Sequence, residues 1–351
     1  MRVLLTGSAG FIGTAIGHAL EDGGHDVVRV DLMLEQAHGA TEVPGGTHRL
    51  DVREAGGWPG GLLEGVDAVC HQAAVVGAGV TVADLPAYAG HNDLGTAALL
   101  AAMHAHGVSR LVLASSMVVY GEGRYTCPTH GDQVPPPRAV AALEAGDVEN
   151  HCGVCGADLD WALVDEDARL DPRSSYAASK LAQEHYTSAW VRQAAESGAA
   201  AVALRYHNVY GPGMPRDTPY SGVAAMFRSS LERGERPQVY EDGGQVRDFV
   251  HVADVARANV LALEAVVAAD AGRFEALNVA SGHPVSILDV ARLVGEGTDA
   301  GVEPEVTGGY RLGDVRHVVA SPARAEASLG FRAEILPGTG LPAFATTPLR
   351  A

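Results

Sequence analysis

Apolar runs of strand length alternate with helically spaced apolar positions through the first third of the chain. Residues 2–6 form a short apolar run, residues 7–13 are glycine-rich, and residues 12–20 carry apolar side chains at helical spacing. Residues 25–30 (HDVVRV) predict a second strand ending at Asp31. Buried-type runs follow at 68–71 and 110–115, with a helical stretch over about 92–106 between them. Strands alternating with helices pair in parallel through right-handed crossovers, so the pattern predicts an α/β, doubly wound parallel sheet. Beyond Gly121 the alternation breaks. Residues 122–172 hold Pro135, Pro136 and Pro137, three of the four cysteines and a cluster of acids, and read as an insertion. Helical character resumes over 174–195, and 201–205 is another apolar strand. Gly- and Pro-rich loops (GPGMPRDTP, 211–219) and scattered short elements then predict a smaller second domain.

Composition narrows the function classes. Of 351 residues, 43 are acidic and 25 basic, a formal net charge of −18. That balance argues against a nucleic-acid or anionic-membrane partner, since both need a basic face. Apolar residues make up 47%, too many for a disordered chain, yet no uncharged apolar run of about 18 residues predicts a membrane span. The opening MRVLLTG reads as a strand rather than a signal peptide, and four cysteines are too few for a secreted disulfide scaffold. The expectation is a soluble cytoplasmic protein. Among its basic residues Lys180 is the one lysine.

The segment TGSAGFIG (6–13) sets Gly7, Gly10 and Gly13 between a strand and a helix, the context in which this spacing binds a dinucleotide. Gly7 permits a sharp turn, Gly10 lets backbone approach a pyrophosphate, and Gly13 lets the helix pack close to the strand. The helix N-terminus offers unpaired N–H groups and partial positive charge to the phosphates. Asp31 supplies a carboxylate for the adenosine ribose hydroxyls and repels a 2′-phosphate. Together they predict bound NAD rather than NADP. A tight strand–helix turn with an incidental aspartate is the competing reading.

Tyr176-Ala-Ala-Ser-Lys180 forms a second constellation, with Ser115-Ser116 upstream. Residues four apart share a helix face, so Tyr176 and Lys180 can point into one cleft. A phenol, with a pKa of about 10, is a poor base at neutral pH. A neighbouring ammonium and a positive nicotinamide ring favour the phenolate. Ser116 can then hydrogen-bond the same substrate oxygen. YxxxK alone is a common accident on an amphipathic helix. Here the lone lysine stands at this spot in a chain that otherwise uses arginine, whose bulkier fork is a poor substitute.

With these residues in place, the chain resembles the extended short-chain dehydrogenase/reductase family, and within it the NAD-dependent nucleotide-sugar epimerases and dehydratases. The matching stretches are TGSAGFIG (6–13), Asp31, Asp51-Val52, HQAA (71–74), NDLGT (92–96), SSMVVYG (115–121), YAASK (176–180), LRYHNVYGP (204–212) and GGQVRDFVHVADV (243–255). The resemblance implies a seven-stranded Rossmann-like domain over 1–204 that binds NAD. It implies a smaller α+β domain over 205–351 that closes on a nucleoside-diphosphate sugar, with part of 246–281 returning to the first. On the same basis Phe11 and Ile12 contact the pyrophosphate, Asp51 and Val52 the adenine, and Ala73, Asn92 and His207 the rest of the cofactor. Ser116, Tyr176 and Lys180 take the catalytic roles. Asn208, Arg247 and Arg311 hold the diphosphate and its surroundings, with Met117 beside the sugar. A homodimer built on helices around 92–106 and 175–195 is also implied.

In this family Tyr176 would take a proton from a sugar hydroxyl, usually at C4, while hydride passes to NAD⁺. A 4,6-dehydratase needs an Asp-Glu pair directly after the serine or threonine. Here Met117 and Val118 occupy those positions, and neither moves a proton. An epimerase needs no further acid or base: the 4-keto sugar turns over and takes hydride back on its other face. The expectation is a nucleotide-sugar 4-epimerase on a UDP- or dTDP-hexose, or on a deoxyhexose, which the apolar Met117 and Val118 suit. The alternatives are a sugar dehydrogenase or reductase that releases its cofactor, a 4,6-dehydratase, and a non-catalytic dinucleotide sensor.

Within the insertion, Cys127-Pro-Thr-His130 and Cys152-Gly-Val-Cys155 are C-x2-H and C-x2-C knuckles separated by 21 residues. Three thiolates and an imidazole make a closed, structural zinc set. Such a clip would order a segment with too few apolar residues for its own core. Free thiols or a disulfide are the alternatives, and His151 is a competing ligand. Cys70 reads as a buried small residue. His18, His25, His38, His48, His104, His106 and His283 read as solvated.

Overall fold

A computed structural model describes residues 1–38, 42–77, 79, 81–216, 222–298 and 301–350; positions 217–219 of the GPGMPRDTP loop lie outside the described residues. Its strands, in chain order, are β1 (Arg2–Thr6), β2 (Asp26–Asp31), β3 (Thr47–Arg49), β4 (Ala68–His71), β5 (Arg110–Ser116), β6 (Arg124–Cys127), β7 (Gly131–Gln133), β8 (Asp160–Ala162), β9 (Ala200–Tyr206), β10 (Asn208–Tyr210), β11 (Gln238–Val239), β12 (Val246–His251), β13 (Phe274–Val279), β14 (Pro284–Ser286) and β15 (Glu305–Val306). Seven of them form one parallel sheet in the order β13-β9-β5-β4-β1-β2-β3.

The sheet strands read as unbroken apolar runs because helices cover both faces. Val3 and Leu5 pack with Cys70, Val112 and Leu204 beneath the helices Phe11–Asp22 and Val252–Ala268. Leu4, one residue out of phase, faces the other side with Val69, Leu111 and Leu113, under the helices Gly95–Ala105 and Ser175–Gln193. Each fully buried side chain of this size contributes about 1.5–3 kcal/mol. Strand order reverses at β1, so a crevice opens beyond the carboxyl ends of β1 and β4, where open α/β sheets bind ligands.

The strands expected around 2–6, 25–31, 68–71, 110–115 and 201–205 are all present, and Cys70 lies wholly inside the core. The helix expected over 92–106 is different. A short helix, Leu85–Tyr88, runs into a π-helical turn over Ala89–Leu94 before regular helix begins at Gly95. A π-turn is a costly irregularity usually kept for a site. Here it carries Asn92.

The insertion is a small antiparallel sheet in the order β7-β6-β8, with one short helix, Val140–Glu144. Contrary to expectation it has a miniature core of its own, made of Tyr125, Cys127, Cys152 and Leu159. Two of those four are cysteines, which explains why apolar counting missed it. Farther along, β10-β12-β14 and β11-β15 form small sheets with the helices Val223–Glu232, Ile287–Glu296 and Pro337–Phe344 around Tyr210, Phe227, Phe249 and Phe344. Among the described residues no helix is long and apolar enough to cross a membrane.

Candidate active site

A cleft of about 820 Å³ opens at the crevice and runs to the C-terminal elements. At its floor Gly7 holds φ +67°, and a Cβ there would stand 2.6 Å from the backbone nitrogen of Ala73. A Cβ on Gly13 would stand 2.0 Å from the Gly7 carbonyl oxygen. Both glycines are therefore required for the turn and the helix to sit against the exit of β4. Gly10 caps the helix Phe11–Asp22 without a side chain, and no acid occupies its first turn. Gly10, Phe11, Ile12 and Gly13 of that turn line the cleft, and a helix N-terminus with its unpaired N–H groups there is a cradle that fits a pyrophosphate.

Asp31 closes the far side of this cradle. Its carboxylate accepts from the Ala9 N–H at 3.0 Å and the Met33 N–H at 2.8 Å, and His38 Nε2 lies 3.3 Å away. Burial opposes the charge, but His38 and the two amides outweigh it and hold the carboxyl below its usual range. His38 is thus a correction to the sequence reading: it is buried beside Asp31 rather than solvated. Asp51, Val52 and Ala73 also line the cleft.

Asn92 and His207 do not reach it. Asn92 is fully buried behind the wall, where its carboxamide accepts from the Val75 N–H at 2.7 Å and donates to the Val75 carbonyl at 2.9 Å. It therefore shapes a lining residue instead of lining the cleft itself. The His207 ring is also buried, and burial pushes it down to about 3, so it is neutral. Position within a motif does not say which layer a side chain occupies.

Ser174 caps the helix Ser175–Gln193 by accepting from the Ala177 N–H at 3.1 Å, and this presents Tyr176 and Lys180 on one face toward the cleft. Lys180 Nζ donates to the Ala114 carbonyl at 3.0 Å and lies 5.9 Å from the Tyr176 ring centroid. Burial pushes the Tyr176 phenol up to about 12, against a hydrogen bond from Ser116 that pulls it down. Burial also pulls Lys180 down to about 7. The two adjacent serines divide their work. Ser115 donates to Glu184, itself paired with Arg205 at 2.8 Å, which leaves Ser116 beside the phenol. Met117 lines the cleft next to them. Sequence reading missed Tyr88, whose ring lies 5.9 Å from that of Tyr176, and Gly79, where a Cβ would stand 2.6 Å from the Tyr176 nitrogen.

At the other end Asn208, Arg247 and Arg311 line the same cleft with Phe227 and Tyr240. Arg311 is exposed, whereas Arg247 is 6% exposed. Arg247 donates to the carbonyls of Val246 at 3.0 Å, Arg316 at 2.7 Å and Val315 at 2.5 Å, and pairs with Asp314 at 3.6 Å. Much of its fork is committed to protein. Arg350, also missed, bridges the Ala9 carbonyl at 2.6 Å and the Ala37 carbonyl at 3.0 Å from the end of the described chain.

In the insertion, Cys127, His130, Cys152 and Cys155 bring their ligand atoms within 4.8 Å of one another. His130 Nδ1 lies 3.5 Å from the sulfurs of Cys127 and of Cys152, and the Cys127 and Cys155 sulfurs are 3.8 Å apart. All three cysteines are free thiols. Amides of Cys155 and Val154 pull the Cys152 thiol down to about 6, toward the thiolate a metal needs. His151 is no competitor: its two ring nitrogens lie 2.9 Å from Asp147 and 2.9 Å from Asp158. A soft sulfur-rich tetrad of this kind fits zinc.

The chain is similar in sequence and fold to known proteins. The NAD dependent epimerase/dehydratase family model matches residues 3–140 and 153–280. The dTDP-L-rhamnose 4-epimerase of Burkholderia thailandensis is 34% identical over 345 residues, covering 94% of this chain and 90% of that protein. The UDP-glucose 4-epimerase of Corynebacterium glutamicum is 29% identical over 350 residues, covering 95% and 91%. The solved UDP-glucose 4-epimerase of Thermus thermophilus, in complex with NAD, superposes with a TM-score of 0.73 at 31% identity over 98% of each chain. By sequence and by fold, the chain belongs to the NAD dependent epimerase/dehydratase family, as an enzyme of the extended short-chain dehydrogenase/reductase type.

Proposed function

We propose that this enzyme is a nucleotide-sugar 4-epimerase that retains NAD and acts on a UDP- or dTDP-linked hexose or deoxyhexose. The observation that carries it is Tyr176 and Lys180 lining the cleft together beside Met117, where a dehydratase would need an acid, with Ser116 hydrogen-bonded to the Tyr176 phenol from just behind the wall. Held by the glycine turn and Asp31, NAD⁺ supplies the hydride acceptor and, once reduced, the donor. Tyr176 as phenolate takes the proton of the C4 hydroxyl, Lys180 stabilises that anion, and Ser116 donates to the same oxygen. When the 4-keto sugar has turned over, Tyr176 returns the proton. Neither Met117 nor Val118 can expel water from C6. Asn208, Arg247 and Arg311 bind the diphosphate, and Asp51 and Val52 flank the adenine.

Incubation with UDP- and dTDP-hexoses should give the C4 epimer with no net NADH. A water-loss product, or NADH released in step with substrate, would remove this reading. The reading extends to a cytoplasmic homodimer, in which Leu94 and Tyr186, exposed on the helical stretches 89–105 and 175–193, would be covered.

The Cys127, His130, Cys152 and Cys155 set would hold a structural zinc. Purified protein should carry about one zinc per chain, and Cys152→Ser should lose it and melt at lower temperature. Metal analysis that finds none in the wild type ends the idea.

A further inference from the structure

Residues 141–152 are skipped by the family model, and they carry Glu149 together with Cys152. Glu149 does not face solvent idly. Its carboxylate accepts from Arg316 Nε at 2.9 Å. Arg316 is 2% exposed and also donates through Nη1 to Glu241 at 3.0 Å and Asp242 at 2.7 Å. Two more groups of the insertion grip the same segment by its backbone. Glu122 accepts from the Arg316 N–H at 3.1 Å, and the Tyr125 hydroxyl accepts from the His317 N–H at 2.9 Å. Arg138, also from the insertion, donates to the Asp314 carbonyl at 2.9 Å. The carbonyls of Val315 and Arg316 are in turn the ones that fix Arg247 at the cleft.

We infer that the insertion is a brace for the substrate end of the cleft: Glu149, Glu122 and Tyr125 fix residues 314–317, and these aim the Arg247 guanidinium at a nucleoside diphosphate. The inference rests on the nucleotide-sugar reading. Arg247 has few donors left, so its value to a phosphate depends on where the 315 and 316 carbonyls hold it. Arg316 is too deeply buried to bind ligand itself, and its three carboxylates cancel its charge locally. Tyr125 shares its core with Cys127 and Cys152, so the clip and the brace are one body. Glu149 is accordingly a positioning residue.

The test is titration of UDP and dTDP into the NAD-containing enzyme by calorimetry, alongside kcat and KM for the sugar nucleotide. Glu149→Ala should weaken the bound nucleotide and raise KM about tenfold, with kcat within about threefold and NAD content unchanged. Glu149→Gln, which keeps a hydrogen-bond acceptor, should recover part of the loss. Tyr125→Phe removes only the hydroxyl that meets His317, and should weaken nucleotide binding in the same direction should Glu149→Ala fail to fold. Wild type that binds nucleotide no better than these variants overturns the brace, as does a loss confined to kcat. Wild type that binds neither UDP nor dTDP overturns the nucleotide-sugar reading, and the brace with it.

Discussion

Tyr176→Phe is expected to lower kcat by about 10²- to 10⁴-fold while leaving the fold, NAD content and KM near their wild-type values. The substitution removes one oxygen. The ring that packs against Tyr88 at 5.9 Å stays, and so does the helix that Ser174 caps. What disappears is, among the described residues, the one group in this part of the cleft that can become an anionic base with Lys180 beside it. Ser116 cannot replace it, because a serine hydroxyl has no comparable anion near neutral pH and its oxygen already accepts from the Val118 N–H at 3.4 Å. Ser115 is committed to Glu184. Rapid mixing of the variant with a sugar nucleotide should therefore show no fast appearance of the reduced-nicotinamide absorbance. Turnover near the wild-type rate would place the base elsewhere and sink the mechanism.

The parts of this site that sequence could reveal are those fixed by short-range spacing. Gly7, Gly10 and Gly13 act within one turn, Tyr176 and Lys180 within one helical step, and each cysteine knuckle within four residues. Such groups hold their relative geometry wherever the chain goes. The missing parts depend on contacts across long separations. Asn92 and His207 belong to recognisable motifs, yet packing puts them behind the wall. His38 has no motif, and only the return of the chain past Asp31 buries it. In RLGDVR the spacing draws attention to Arg311, but Arg316 of the same stretch is the residue the protein buries, and its partners lie at 149, 241 and 242. The strand β3 is three residues long on the sheet edge, too short and too exposed for an apolar pattern to mark. His151 could be dismissed as a metal ligand only once Asp147 and Asp158 were seen to claim both its nitrogens.

Lys180→Met should separate charge from packing at the reacting centre. In the cofactor-free protein burial pulls Lys180 down to about 7 and pushes Tyr176 up to about 12. Adjacent groups of this kind titrate as a pair. With both protons on, no base exists, so kcat/KM should fall about tenfold per pH unit below pH ~7. Once one proton has left, the positive nicotinamide and the substrate hydroxyl favour phenolate with ammonium over phenol with amine. The methionine variant has only the phenol, whose anion burial disfavours. Its limb should therefore move several pH units upward, with activity at pH ~7.5 down by on the order of 10³-fold or more. His71 cannot stand in for the lost group, since burial, the larger cause of its lowered pKa, remains in the variant and its ring nitrogens are held by Thr6 at 2.7 Å and Thr96 at 3.0 Å.

The stability sign of the same substitution is opposite. From about pH 7 to the ordinary lysine range near ~10.4, the unfolded chain binds a proton that the folded chain has lost. The contribution of Lys180 to stability thus improves as pH rises through that window and is least favourable below it. Lys180→Met should raise the Tm of the cofactor-free protein at pH ~6 more than at pH ~10. A variant that melts higher at low pH yet has lost its near-neutral activity limb would show that the single lysine is kept for the phenolate, at a cost to the fold. A variant that keeps the wild-type limb would assign the near-neutral titration to another group.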